Sequence, residues 1–127
     1  MRILLDTHVV LWALADCARL SPKARELLSG AGNECGVSSA SVWEIAIRIA
    51  IGKYQPGLPL TALEGAIYAA GFRTLDVAMR HAGAIETVAV PHADPFDRLL
   101  LAKCEVETLR LLTADRKLSK MPVAVAC

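Results

Sequence analysis

Five carboxylates stand where they could do chemistry: Asp6, Glu44, Asp94, Asp97 and Asp115. Asp6 follows the apolar run Ile3-Leu4-Leu5 and precedes an apolar stretch over residues 7–15. A carboxylate in that setting is costly unless something pairs with it. Asp94-Pro95-Phe96-Asp97 sets two acids three residues apart, and Asp115 closes Leu112-Thr113-Ala114-Asp115. Carboxylates gathered in one place repel, which raises pKa values and costs stability. A hard divalent cation removes that cost. Mg²⁺ and Mn²⁺ prefer oxygen ligands and keep several waters, leaving room for phosphate oxygens. The chemistry implied is phosphate chemistry at an acidic Mg²⁺ or Mn²⁺ site. Such a metal lowers the pKa of a water, orients it for in-line attack and neutralises the leaving oxyanion.

Each acid also has a local structural use. Ser41-Val42-Trp43-Glu44 fits a capping box, and Glu44 with Arg48 makes an i,i+4 pair. Asp94-Pro95-Phe96-Asp97 fits an N-cap, a proline at N1 and an acid at N3. Asp115 suits a short turn around Arg116-Lys117. The surrounding elements decide whether the acids meet. Strands are expected at residues 2–5, 34–37, 72–75, 109–112 and 121–125. Helices are expected at 7–15, from Ser21-Pro22 to Gly30, from Ser38 or Ser41 to Gly52, at 61–70, around 78–85 and at 94–107. Strands alternating with helices imply an α/β fold with a parallel sheet covered on both faces. Ligands then bind beyond the carboxyl ends of the strands. Asp6 and Asp115 end strands, while Glu44, Asp94 and Asp97 lie in the first turns of helices. All five therefore face one edge.

Composition narrows the field. A chain of 127 residues suits one domain, 1–127. With 54% hydrophobic and 21% charged residues it is not disordered. A net charge of +1 excludes binding to nucleic acid by bulk attraction alone. The 5% aromatic content argues against a single-strand stacking platform. Cys17, Cys35, Cys104 and Cys127 form no C-x-x-C pair and read as free thiols of a reducing cytoplasm. The run Met1 to Leu5 meets Asp6 too soon for a signal segment, and the apolar run 41–51 is too short and too charged to span a membrane. Other catalytic patterns fail. Gly36-Val37-Ser38-Ser39-Ala40 lacks the last glycine of a nucleophile elbow. Gly52-Lys53 lacks the upstream glycine of a P-loop. His8, His81 and His92 are scattered, and Trp12 and Trp43 read as core or interface residues.

Four motifs in order carry a resemblance: Leu4-Leu5-Asp6-Thr7-His8; Ser41-Val42-Trp43-Glu44-Ile45-Ala46-Ile47-Arg48 with Gly52-Lys53; Asp94-Pro95-Phe96-Asp97-Arg98; and Leu112-Thr113-Ala114-Asp115-Arg116. Over nearly the whole chain the sequence resembles PIN domains, and more narrowly the VapC-type toxins of bacterial toxin–antitoxin pairs. The resemblance implies a three-layer α/β/α fold around a parallel sheet of four or five strands. It implies a metal-dependent ribonuclease in which Asp6, Glu44, Asp97 and Asp115 hold Mg²⁺ or Mn²⁺ and form the catalytic set. The products would be a 5′-phosphate and a 3′-hydroxyl. Asp94 would cap its helix or reach the metal through water. Thr113 matches a supporting hydroxyl, and Arg98 and Arg116 match phosphate contacts or partners of nearby acids. Arg48 stands where lysine is frequent, and Ala93 where a polar residue is. The implied partners are an RNA substrate, a second copy in a homodimer, and a VapB-like antitoxin. The antitoxin's tail would cross the helices around Trp43 and Leu63, with a basic side chain in the acidic site.

Two other readings compete. A phosphoacceptor receiver-like domain would use Asp76, Thr113 and Lys120, but its first strand should end in two acids, and only Asp6 is there. An inactive PIN-like module would only bind a partner, yet all four acids are intact. Taking those four from the 13 acids leaves nine against 14 bases, a balance of +5. Near-neutrality then hides an acidic pocket in a moderately basic surface.

Overall fold

Ile3, Leu4 and Leu5 are each at most 1% exposed, as a strand covered on both faces requires. They form β1 (Arg2–Leu5), the centre of a five-stranded sheet in the computed structural model, which describes residues 1–55, 57, 59–88 and 94–127. The remaining strands are β2 (Glu34–Ser38), β3 (Arg73–Leu75), β4 (Arg110–Thr113) and β5 (Ala124–Ala126). Their order is β3-β2-β1-β4-β5, and every pairing is parallel. The chain lays β2 and β3 outward on one side of β1, then returns to lay β4 and β5 on the other. The order therefore reverses between β1 and β4, where the adjoining crossovers part and leave a crevice.

The helices are α1 (Thr7–Leu14), α2 (Pro22–Ser29), α3 (Ser39–Ala50), α4 (Leu63–Ala69), α5 (Met79–Ala84) and α6 (Pro95–Glu107). Successive strand residues point to opposite faces, so Ile3 and Leu5 join one core and Leu4 the other. The first core includes Val9, Val10, Ala24, Ile45 and Ile67 of α1 to α4. The second includes Leu100, Leu101 and Cys104 of α6. The result is the expected three-layer α/β/α architecture. Gly36 lets β3 lie close: a Cβ there would stand 2.5 Å from a Leu75 methyl and force that side chain to shift.

Two boundaries differ most from expectation, and a choice between two caps is settled. The chain enters the fourth helix through a 3-10 turn, Leu60–Ala62, and α4 starts only at Leu63. The last strand is Ala124–Ala126 rather than 121–125, because a 3-10 turn at Leu118–Lys120 delays its pairing with β4. Ser38, not Ser41, caps α3, accepting from the Ala40 amide at 3.1 Å. The loop expected at 91–93 lies outside the described residues.

Away from the crevice, a polar brace joins α5 to α6. The Ala78 amide donates to Nδ1 of His81 at 2.8 Å, so Nε2 carries the proton and meets Glu107 Oε1 at 2.7 Å. Arg80 pairs with the same carboxylate, and these two contacts hold Glu107 down to about 2. All four cysteines are free, and burial pushes Cys104 up to about 12, as an inert thiol requires. No helix among the described residues is long and apolar enough to cross a membrane. Ser21 caps α2 through the Ala24 amide, with Pro22 at N1. Ser21→Ala should cost about 1 kcal/mol in chemical denaturation and leave the crevice untouched.

Candidate active site

Asp6 is placed by three constraints. It ends β1, its amide extends the ladder to Leu112 O at 3.0 Å, and its side chain caps α1. Oδ1 accepts from the Thr7 amide at 2.7 Å and Oδ2 from the Thr113 hydroxyl at 2.7 Å. The residue is only 5% exposed. Burial raises its pKa against the pull of Thr113, the Thr7 amide and His8, and nearby Glu44 adds to the rise. Thr113 serves two acids, since its oxygen also accepts from the Asp115 amide at 3.0 Å.

Glu44 reaches the same crevice from α3 and is 6% exposed. Arg48 Nη2 meets Oε2 at 2.7 Å, the expected i,i+4 pair. Thr7 Oγ1 lies 2.8 Å from Oε1 and 3.0 Å from Ser41 Oγ. The Thr7 hydroxyl has one proton, which the carboxylate takes, leaving its lone pairs to Ser41. Ser41 is thus a buried supporter of the site rather than a cap. Thr7 and Ser41 were not among the residues singled out from sequence. The available signals were Thr7 next to Asp6 and Ser41 one turn before Glu44, at i,i+3. Thr7→Val keeps the shape and removes the hydroxyl. It should lower turnover roughly tenfold to a hundredfold with little change in substrate affinity, measured as kcat against KM.

Asp94 and Asp97 open α6 as expected. Asp94 Oδ1 accepts from the amides of Phe96 and Asp97 at 2.9 and 3.1 Å, with Pro95 at N1. Asp97 is therefore held in the first turn with its carboxyl half-buried. Its pKa is raised from 3.8 to about 7, first by burial and then by Asp6, Asp94, Glu44 and Asp115. The four other acids thus act together on this carboxyl. Asp115 keeps its turn as well: Oδ1 accepts from the amides of Lys117 and Leu118 at 2.8 and 3.1 Å. The local and the convergent uses of these acids coexist.

The basic residues divide. Arg98 is turned away, Nη2 donating to Ile85 O at 3.2 Å, while Nε is buried without a partner among the described residues. Arg116 is exposed, directly after Asp115 in the chain. Trp43 is 60% exposed and packs edge-on to Phe96 at 5.4 Å, whereas Leu63 is buried in the core. Ala93 and His92 lie outside the described residues. Asp76 ends β3, three strand spacings from Thr113 on β4, or about 14 Å. The phosphoacceptor trio is not assembled.

No three acidic, histidine or cysteine side chains among the described residues are drawn together into a ready-made metal cage. The donors nonetheless suit a hard cation that keeps part of its water. They are all oxygens, and their mutual repulsion is concentrated on Asp97. An α/β sheet with clustered acids at its switch point defines the class. Residues 3–124 match the PIN domain family, and the chain belongs to that family.

Among curated proteins it is similar to Ribonuclease VapC22 of Mycobacterium tuberculosis, 33% identical over 119 residues, covering 91% of this chain and 88% of that one. Among solved structures it resembles VapBC2 from Rickettsia felis bound to a DNA fragment from its promoter. The TM-score is 0.64 at 14% identity, with 100% of this chain and 98% of that one covered. A toxin–antitoxin complex from Klebsiella pneumoniae gives 0.63 at 16% identity over 97% and 95%. FitAB bound to a DNA fragment gives 0.59 at 16% over 98% and 94%. These structures share the fold.

Proposed function

We propose that the chain is a single-domain, metal-dependent endoribonuclease toxin of the VapC type. The observation that carries this reading is Asp97, whose carboxyl is pushed to about 7 by burial and four converging acids. Asp6, Glu44, Asp97 and Asp115 would hold one or two Mg²⁺ or Mn²⁺ ions. When bound, the metal supplies an activated water and neutralises the leaving oxyanion, hydrolysing an RNA phosphodiester. The chain's own residues do the positioning. Thr113 fixes Asp6 and the Asp115 backbone, Thr7 and Arg48 fix Glu44, and Asp94 fixes the start of α6. Exposed Arg116 is available for phosphate, and Asp94 is a cap that adds negative potential to the site.

The same reading gives the partners. A VapB-like antitoxin would lie across exposed Trp43 and carry a basic side chain to the acids, a second copy would complete a homodimer, and the pair would act in the cytoplasm. Purified protein should cut an unstructured RNA with Mg²⁺ or Mn²⁺ and stop in EDTA. Expression should arrest growth, and Asp6→Asn should relieve the arrest. Cleavage that persists in EDTA, or arrest that ignores Asp6, would overturn the assignment.

A further inference from the structure

A ladder of side chains leads away from Glu44. Arg48, paired with Glu44, also approaches His8 Nε2 at 3.4 Å. His8 and Trp12 are i,i+4 neighbours on α1, their ring centroids 6.2 Å apart and their planes tilted by 46°. The Arg19 guanidinium then lies 5.9 Å from the centre of the Trp12 ring. His8 and Arg19 are exposed, and Trp12 and Arg48 are half-buried. Two rings thus lie between two guanidiniums, in a succession of contacts that starts at Glu44.

Trp12 packs partly against the first core, but His8 and Arg19 stand out from it, exposed. A histidine that served packing would be buried, as His81 is at 1% exposure, whereas His8 presents its ring to solvent beside the acids. Alternating cations and π-faces are what an unpaired nucleic-acid strand requires: charge for successive phosphates and a face for a base. A base in an A-form duplex is already stacked on both sides and cannot use such a face. The low aromatic content excluded an extended platform, but a foothold for one nucleotide needs only two rings.

We propose that His8, Trp12, Arg19 and Arg48 form a track for an unpaired nucleotide flanking the cleaved bond, with its base on His8 and its phosphates between Arg48 and Arg19. The inference rests on the ribonuclease reading and names the side chains that would hold a nucleotide beside that site. Trp12 and Trp43 are the two tryptophans of the chain, so Trp43→Phe leaves Trp12 as the sole reporter.

In that background, with Asp97→Asn to block cleavage, a metal-free titration with an unstructured RNA 12-mer should quench Trp12 fluorescence. The same RNA annealed to its complement should not. His8→Ala should weaken binding of the single strand about tenfold, and His8→Phe, which keeps a stacking face, should restore it. Arg19→Ala should lower the slope of log Kd against log salt by roughly 0.7, the loss of one phosphate contact. Single-strand binding unchanged by His8→Ala and Arg19→Ala, or equal quenching by the duplex, would overturn the track. RNA cleavage by the wild type with metal would still stand in that event. Absence of such cleavage would instead overturn the ribonuclease reading, whatever His8 does.

Discussion

Asp97→Asn should abolish RNA cleavage and, at the same time, make the metal-free protein more stable. The two effects have one cause. In the folded chain the Asp97 carboxyl is pushed to about 7, first by burial and then by Asp6, Asp94, Glu44 and Asp115. Ionising it there is costly, and at pH 8 the metal-free protein bears that cost. Asparagine has nearly the same shape and no charge, so the cost disappears. Allowing for solvent screening at a half-buried site, the gain should be about 2 kcal/mol, or roughly 8 °C in Tm for a chain of this size. Activity should fall about a thousandfold, the order expected on losing one preorganised electrostatic group. Calorimetry in EDTA and cleavage assays in Mn²⁺ on the same preparation check both halves. A variant that is less stable and inactive would mean Asp97 is structural. A variant that is fully active would remove it from the site.

The stability of the metal-free wild type should also fall as pH rises from about 4 to about 7. The Asp97 carboxyl has an ordinary value of 3.8 and a folded value of about 7. Between those limits the folded state keeps a proton that the unfolded chain has released. Stability then declines with rising pH, because the folded state binds more protons. Asp6, also raised, acts in the same direction. Glu107 works at the other end. Its value is lowered from 4.5 to about 2, so its contribution is present above 4.5 and lost as the medium is acidified through 2. The metal-free protein should therefore be most stable near pH 4–5 and lose about 2 kcal/mol by pH 8. Saturating Mn²⁺ should erase that decline, since a cation that needs ionised carboxylates binds better as they deprotonate. Melting curves from pH 4 to 8, with Mn²⁺ and with EDTA, give the comparison. A flat or rising curve in EDTA would contradict the convergence of the acids, and Asp97→Asn should flatten most of the slope.

Much of this arrangement is legible in sequence because its signals are local. Ile3-Leu4-Leu5 ends in Asp6, and Asp94-Pro95-Phe96-Asp97 names its own helix start, which the structure keeps atom for atom. Where two local signals are equally good, the sequence leaves the choice between them open. Ser38 and Ser41 can both cap, and Ser38 takes the role because β2 pairs as far as Ser38↔Leu75 and leaves the chain extended there. That places Ser41 inside the helix, where its hydroxyl meets Thr7, a contact 34 residues distant in sequence. The position of β5 is similarly non-local, fixed by hydrogen bonding to β4 rather than by the apolar run 121–125. Arg98 follows Asp97 in the motif, yet Ile85 O captures its guanidinium. One-turn spacing can suggest that two side chains share a face, but not which partner a third element will bring.

The bond between Thr113 and Asp6 spans 107 residues and joins the first strand to the fourth. During synthesis, β1 can pair with β2 once Ser38 has been made and has left the ribosome, but β4 must wait until Thr113 has done the same. At about 5–20 residues per second, several seconds separate the two events. Thr113, Asp97 and Asp115 are all made after β3. A polypeptide interrupted before β4 lacks Asp115 and has no hydroxyl to orient Asp6. The order of the strands thus acts as a timer, in which the acidic edge is assembled only after β4 has been made.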